Sequence, residues 1–80
     1  MLAQIYIAQK EYSSAYALLN IVNLMLPNKI QIQLNMARCQ IELNHFDKAK
    51  ENIEEVFKLL PEHEEATEML EEIKNKEKSN

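Results

Sequence analysis

Residues 44–63 read NHFDKAKENIEEVFKLLPEH, and residues 10–29 read KEYSSAYALLNIVNLMLPNK. Laid in register, Leu19-x2-Val22-x4-Pro27 returns as Ile53-x2-Val56-x4-Pro61. The offset that carries Pro27 onto Pro61 also pairs Tyr12 with Phe46, Ser13 with Asp47, Ala15 with Ala49 and Tyr6 with Gln40. A skeleton of aromatic and small residues that recurs at one fixed offset, within the roughly 20 to 50 residues of a structural repeat, is the mark of a repeat array. In the later copy Ala49, Ile53, Val56 and Leu60 step by 4, 3 and 4, which puts them on one helix face. Ala15, Leu19, Val22 and Leu26 do the same one unit earlier. The unit is therefore helix-turn-helix, and its two small residues let neighbouring helices approach closely.

Working outward, the chain has no Gly and two Pro among 80 residues, so it reads as nearly all helix with breaks only where the repeat turns. Five antiparallel helices are expected, over 1–10, 13–25, 29–43, 47–59 and 62–76. Ser13 and Asp47 are placed to cap the second helix of each unit, since a short polar side chain accepts from the exposed amides of a first turn. Asn44 stands where a helix ends tightly and tolerates the left-handed conformation such an end uses. Lys10 occupies the same place in the first unit without that advantage. The fold expected is all-α, with helix-turn-helix repeats stacked as a short α-solenoid. It forms one domain over 1–76: an incomplete repeat over 1–29, a complete repeat over 30–63 and a capping helix over 64–76. In that last helix Ala66, Met69, Leu70 and Ile73 form a narrow apolar stripe surrounded by Glu62, Glu64, Glu65, Glu68, Glu71 and Glu72, the polar outer face that ends an array. Residues 77–80 are expected to be a flexible tail.

Composition narrows the function. Nine basic and 13 acidic residues give a net charge of −4, which disfavours a surface that neutralises phosphates, so no nucleic acid is expected. The most apolar stretch, Ala17 to Leu26, is broken by Asn20 and Asn23 and is about half the roughly 20 residues that span a bilayer, so no membrane insertion is expected. A single cysteine, Cys39, makes no internal disulfide, so nothing points to an oxidising compartment and the cytoplasm is the default expectation. Cys39, His45 and His63 are spread along the chain at spacings unlike those of compact zinc motifs, so no metal is expected. No nucleophile-base pair, phosphate loop or dinucleotide fingerprint appears, so neither enzyme activity nor a cofactor is expected. The glutamates of the last helix read as a solvated charged face.

The pattern resembles the tetratricopeptide repeat family. Met36 and Ala37 stand for its Leu-Gly pair, Phe46 for its turn aromatic, Ala49 for its characteristic Ala, Ile53 and Val56 for its second-helix positions and Pro61 for its closing Pro. Leu2, Ala3, Tyr6, Tyr12, Ala15, Leu19, Val22 and Pro27 are the first copy. Gln33 replaces the family's early Trp-like residue, Gln40 its first-helix Tyr, and Lys10 and Asn44 its turn Gly. The resemblance implies a right-handed superhelix and a protein-binding scaffold whose concave groove takes a peptide or helical segment of a partner. Carried onto this chain, the groove comprises Gln4, Ile7, Gln31, Leu34, Asn35, Arg38, Glu42, Glu65 and Glu68, suited to a partner with an apolar anchor and a basic residue. Arg38 is either a groove cation or only the partner of Glu42 one turn on. The family's clamp for acidic chaperone C-termini retains one amide, Asn35, but has Glu65 and Met69 where basic groups belong, so a carboxylate would be repelled. The alternative is an assembly or chaperone-like subunit whose N-terminal edge, Met1 and Ile5, is covered by a client, by a homodimer or by further stacked repeats.

Overall fold

A computed structural model describes residues 2–26 and 29–79. Met1, assigned to the N-terminal edge, and Pro27, the closing residue of the first copy, lie outside them. The described chain is all-α: α1 (Leu2–Ala8), α2 (Tyr12–Met25), α3 (Ile30–Glu42), α4 (Phe46–Leu59) and α5 (Glu64–Ser79). Each helix packs on its neighbours in sequence, and α3 also packs on α5. The molecule measures 32 × 27 × 17 Å, the short dimension being about what two helix layers occupy.

The period of the sequence is written into the backbone. The offset between Pro27 and Pro61 also separates the starts of α2 and α4, Tyr12 and Phe46, and their ends, Met25 and Leu59. It separates the starts of α3 and α5, Ile30 and Glu64, as well. The turn between the paired helices is the same structure twice. Lys10 N–H donates to the Ile7 carbonyl (3.0 Å) and Glu11 N–H to the Tyr6 carbonyl (2.8 Å). One unit on, Asn44 N–H donates to Ile41 (3.0 Å) and His45 N–H to Gln40 (2.7 Å). This pair of nested bonds is a Schellman ending, which needs a left-handed residue at its centre. Lys10 and Asn44 supply it, with φ of 63° and 64°.

The predicted caps are displaced. Glu11 and His45, not Ser13 and Asp47, hold the N-cap positions of α2 and α4, and neither makes a side-chain cap bond. The Schellman turn closes so tightly that its last residue is already the cap of the next helix. Ser13 and Asp47 therefore sit inside the first turn, where the Asp47 carboxylate still interacts favourably with the helix dipole. Helices α2, α3 and α4 have no side-chain cap bond, whereas on α5 Ala66 N–H donates to His63 Nδ1 (3.3 Å). The last helix also runs further than expected, to Ser79. Residues 77–79, read from sequence as tail, belong to it, and Glu77 is held by Lys50 of α4 at 2.9 Å.

Two apolar clusters form the core. The first takes Leu34, Ala37 and Ile41 from α3, Ala49, Ile53 and Val56 from α4, and Ala66, Met69 and Ile73 from α5. The second joins Ala15 and Leu19 of α2 to Ile32, Met36 and Cys39 of α3, with Tyr6, Ile7, Tyr12 and Val22 packed around them. Helix α3 is thus buried on two faces. Ile32, Met36 and Cys39 face the first unit, and the corresponding Ala66, Leu70 and Ile73 of α5 face the second. Among the described residues no helix is long and apolar enough to cross a membrane.

Candidate functional site

The residues assigned to a groove separate into four groups, the last being Glu65 and Glu68, exposed on α5. Leu34 is buried, 2% exposed, among α3, α4 and α5, so it is a core residue and offers nothing to a ligand. The carry-over from the family pattern misplaced it because α3 is apolar on two sides, and Leu34 lies on the side that faces α4 and α5. Ile7 is half-buried against the α2–α3 cluster, and Gln4 is exposed on α1. Gln31, Asn35, Arg38 and Glu42 run along one line of α3. Gln31 Nε2 donates weakly to Asn35 Oδ1 (3.4 Å).

Arg38 settles between its two sequence readings as neither a free cation nor a partner of Glu42 alone. Its Nη1 donates to both carboxylate oxygens of Glu72 on α5 (3.0 and 2.9 Å), with Glu42 at 3.6 Å. Lys76 completes the ring at 3.6 Å from Glu72 and 3.8 Å from Glu42. Two cations and two carboxylates therefore clasp α3 to α5, each about one-third exposed. Ion pairs this wet are worth about 0 to 1 kcal/mol apiece, and their larger effect is to fix the register of α5. With Arg38 neutralised, the exposed Glu65, Glu68 and Glu71 leave the adjoining face acidic. Glu68, Glu71, Glu72, Asn75 and Lys76 line a shallow depression of about 500 Å3 there.

A second concavity of about 450 Å3 is lined by Tyr16, Met36, Gln40, Lys48, Glu51, Asn52, Glu54 and Glu55, from α2, α3 and α4. Its floor is Gln40, 2% exposed, whose Nε2 donates to Tyr16 Oη (3.1 Å) and whose Oε1 accepts from Asn52 Nδ2 (2.6 Å). Gln33 is the other buried amide and donates to Asn23 Oδ1 (2.9 Å). These bonds remove the cost of burying amides and tie α3 to both flanking helices. In the sequence Gln33 and Gln40 stand only as departures from a family pattern. The signal was that they interrupt positions otherwise taken by large core residues.

Cys39 is fully buried. Burial raises its thiol pKa from 9.0 to about 11, with Arg38 pulling slightly the other way, so it is not poised for nucleophilic chemistry. Compared with known proteins, the chain matches no family model and no curated protein.

Proposed function

We propose that the chain is a protein-interaction module of tetratricopeptide-repeat type, built as a short solenoid, that takes a basic peptide or helical segment along the α3–α5 face. The observation that carries this reading is the recurrence, at the one offset that relates Pro27 to Pro61, of helix ends, Schellman turn and core positions. Stacked repeats of this kind present extended surfaces to other proteins. The chemistry of the partner follows from the charges. Glu65, Glu68 and Glu71 stand exposed beside a ring in which Arg38 and Lys76 are already matched by Glu42 and Glu72. Lysine or arginine side chains complement that face, and an acidic tail is repelled. The burial of Leu34 removes the apolar anchor expected there, so affinity rests on charge and on backbone contacts with Gln31 and Asn35. A buried, unpaired Cys39 suits a reducing compartment such as the cytoplasm.

The test is fluorescence anisotropy with a labelled, lysine-rich amphipathic peptide. Binding is expected to weaken by about tenfold or more in Glu65→Lys/Glu68→Lys and to fall steeply with added salt. Equal binding by the parent chain and the double variant, with unchanged helicity, would reject this face.

A further inference from the structure

The two units share an exposed apolar end, Met25 and Leu26 in the first and Leu59 and Leu60 in the second, but differ in the charge around it. Before Lys29 the only charged residues are Lys10 and Glu11, and the other 20 of the 22 charges lie from Lys29 onward. This nearly uncharged unit exposes Ile5 at 53%, Ile21 at 56%, Leu24 at 82%, Met25 at 75% and Leu26 at 51%. Leu24 and Met25 each lie about one turn from Ile21 on α2 and flank it, and the exposed Ala17 extends the stripe by a further turn.

The internal repeat shows which way this surface looks. Ile5 corresponds to Cys39, which is buried against α2 of the preceding unit. Ala17 and Ile21 correspond to Glu51 and Glu55, which line the cleft on the side of α4 that faces α2. Of these counterparts Cys39 is buried where the second unit meets the first, so Ile5 presents the equivalent position outward in the first unit, while Ala17 and Ile21 put apolar side chains where the second unit has the exposed rim residues Glu51 and Glu55.

We infer that this face, centred on Ile21 and Leu24, docks a second copy of the chain, two first units meeting face to face about a twofold axis. Two arguments select that occupant. A face without charge loses nothing by meeting its own copy. Stacking it on the opposite end of a neighbouring molecule would instead bury Glu68 and Glu71 of α5, the counterparts of the buried Leu34 and Ala37, without partners, which is costly. The area also suffices. Together the five exposed side chains offer on the order of 600 Å2 of apolar surface, and if both copies bury all of it the total is about 1,200 Å2, the lower limit of a specific interface. The result is an isologous, closed dimer that leaves both acidic faces free.

The experiment is light scattering behind size exclusion over a wide concentration range, with the parent chain, Ile21→Glu/Leu24→Glu and Glu71→Leu. The substituted α2 side chains are more than half exposed in the single chain, so far-UV circular dichroism should show unchanged helicity. The parent chain and Glu71→Leu are expected to approach twice the monomer mass as concentration rises. The α2 double variant should stay monomeric, its dimer dissociation constant raised by roughly a hundredfold or more. A parent chain that is monomeric throughout overturns the inference. So does a dimer that the double variant leaves intact, and so does a mass that climbs without limit, the sign of head-to-tail stacking.

Discussion

At the scale of single residues, burial of an ionisable group fixes a pH dependence. Cys39 is the clearest instance. Its thiol is fully buried, and desolvation holds the folded-state pKa near 11 against an ordinary 9.0. Below pH 9 both folded and unfolded chains keep the proton, and the shift has no effect on stability. Between pH 9 and 11 the unfolded chain gives up its proton while the folded chain retains it, so folding weakens as pH rises. Two pKa units correspond to about 3 kcal/mol, complete only above pH 11. Denaturant titrations of the parent chain and Cys39→Ala should show a stability difference that drifts in favour of the alanine variant over that window. If the difference stays constant from pH 8 to 11, the thiol is not held in a desolvated site. Gln40 is buried as deeply, but its bonds to Tyr16 and Asn52 answer its polarity without any titration.

At the scale of helices and turns, most of what the sequence encodes was legible because it was said twice. Ala15, Leu19, Val22 and their counterparts Ala49, Ile53 and Val56 announce the same helix face, and Asn44 announces the turn. The illegible parts are those with no local signature. The caps of α2 and α4 moved to Glu11 and His45 because Schellman geometry leaves no spare residue between the helices. The Arg38–Glu72 clasp joins two different helices, α3 and α5, a pairing that no single-helix pattern reports. Lys10 shows both sides of this lesson. Its sequence position marks it as the counterpart of Asn44, and its φ of 63° is a conformation that costs a residue with a Cβ roughly 1 to 2 kcal/mol. Replacing it with glycine removes that cost and adds some unfolded-state entropy. Lys10→Gly is therefore expected to raise stability by about 1 kcal/mol, read as a later denaturant midpoint with an unchanged slope, whereas Asn44→Gly should gain less. A destabilised Lys10→Gly would mean that the lysine stem contributes packing that outweighs the strain.

For the molecule as a whole, the question is whether the units stand alone or together. In repeat arrays each unit is stabilised by its own packing plus the interface with its neighbour, and here α3 belongs to both clusters, buried toward α2 on one face and toward α4 and α5 on the other. Helix α5 supplies Ala66, Met69 and Ile73 to the larger cluster, as well as the carboxylates that hold Arg38 and Lys50. Burying a large apolar side chain is worth about 1.5 to 3 kcal/mol, so removing Met69 and Ile73 alone forfeits several kcal/mol. A chain of this size has about 4 to 12 kcal/mol in total. A chain ending at Glu62 would also uncover Leu34, Ala37 and Ile41 on the side where α5 packs. That truncation is expected to lose helicity well beyond the share of α5 itself, with α3 and α4 melting in the same step, measured by circular dichroism against temperature. Survival of a cooperative transition with α3 and α4 intact would instead show that the α2–α3 cluster and its buried Gln33 and Gln40 bonds suffice to hold the remainder. The two clusters would then be independent folding units that share a helix without sharing their stability.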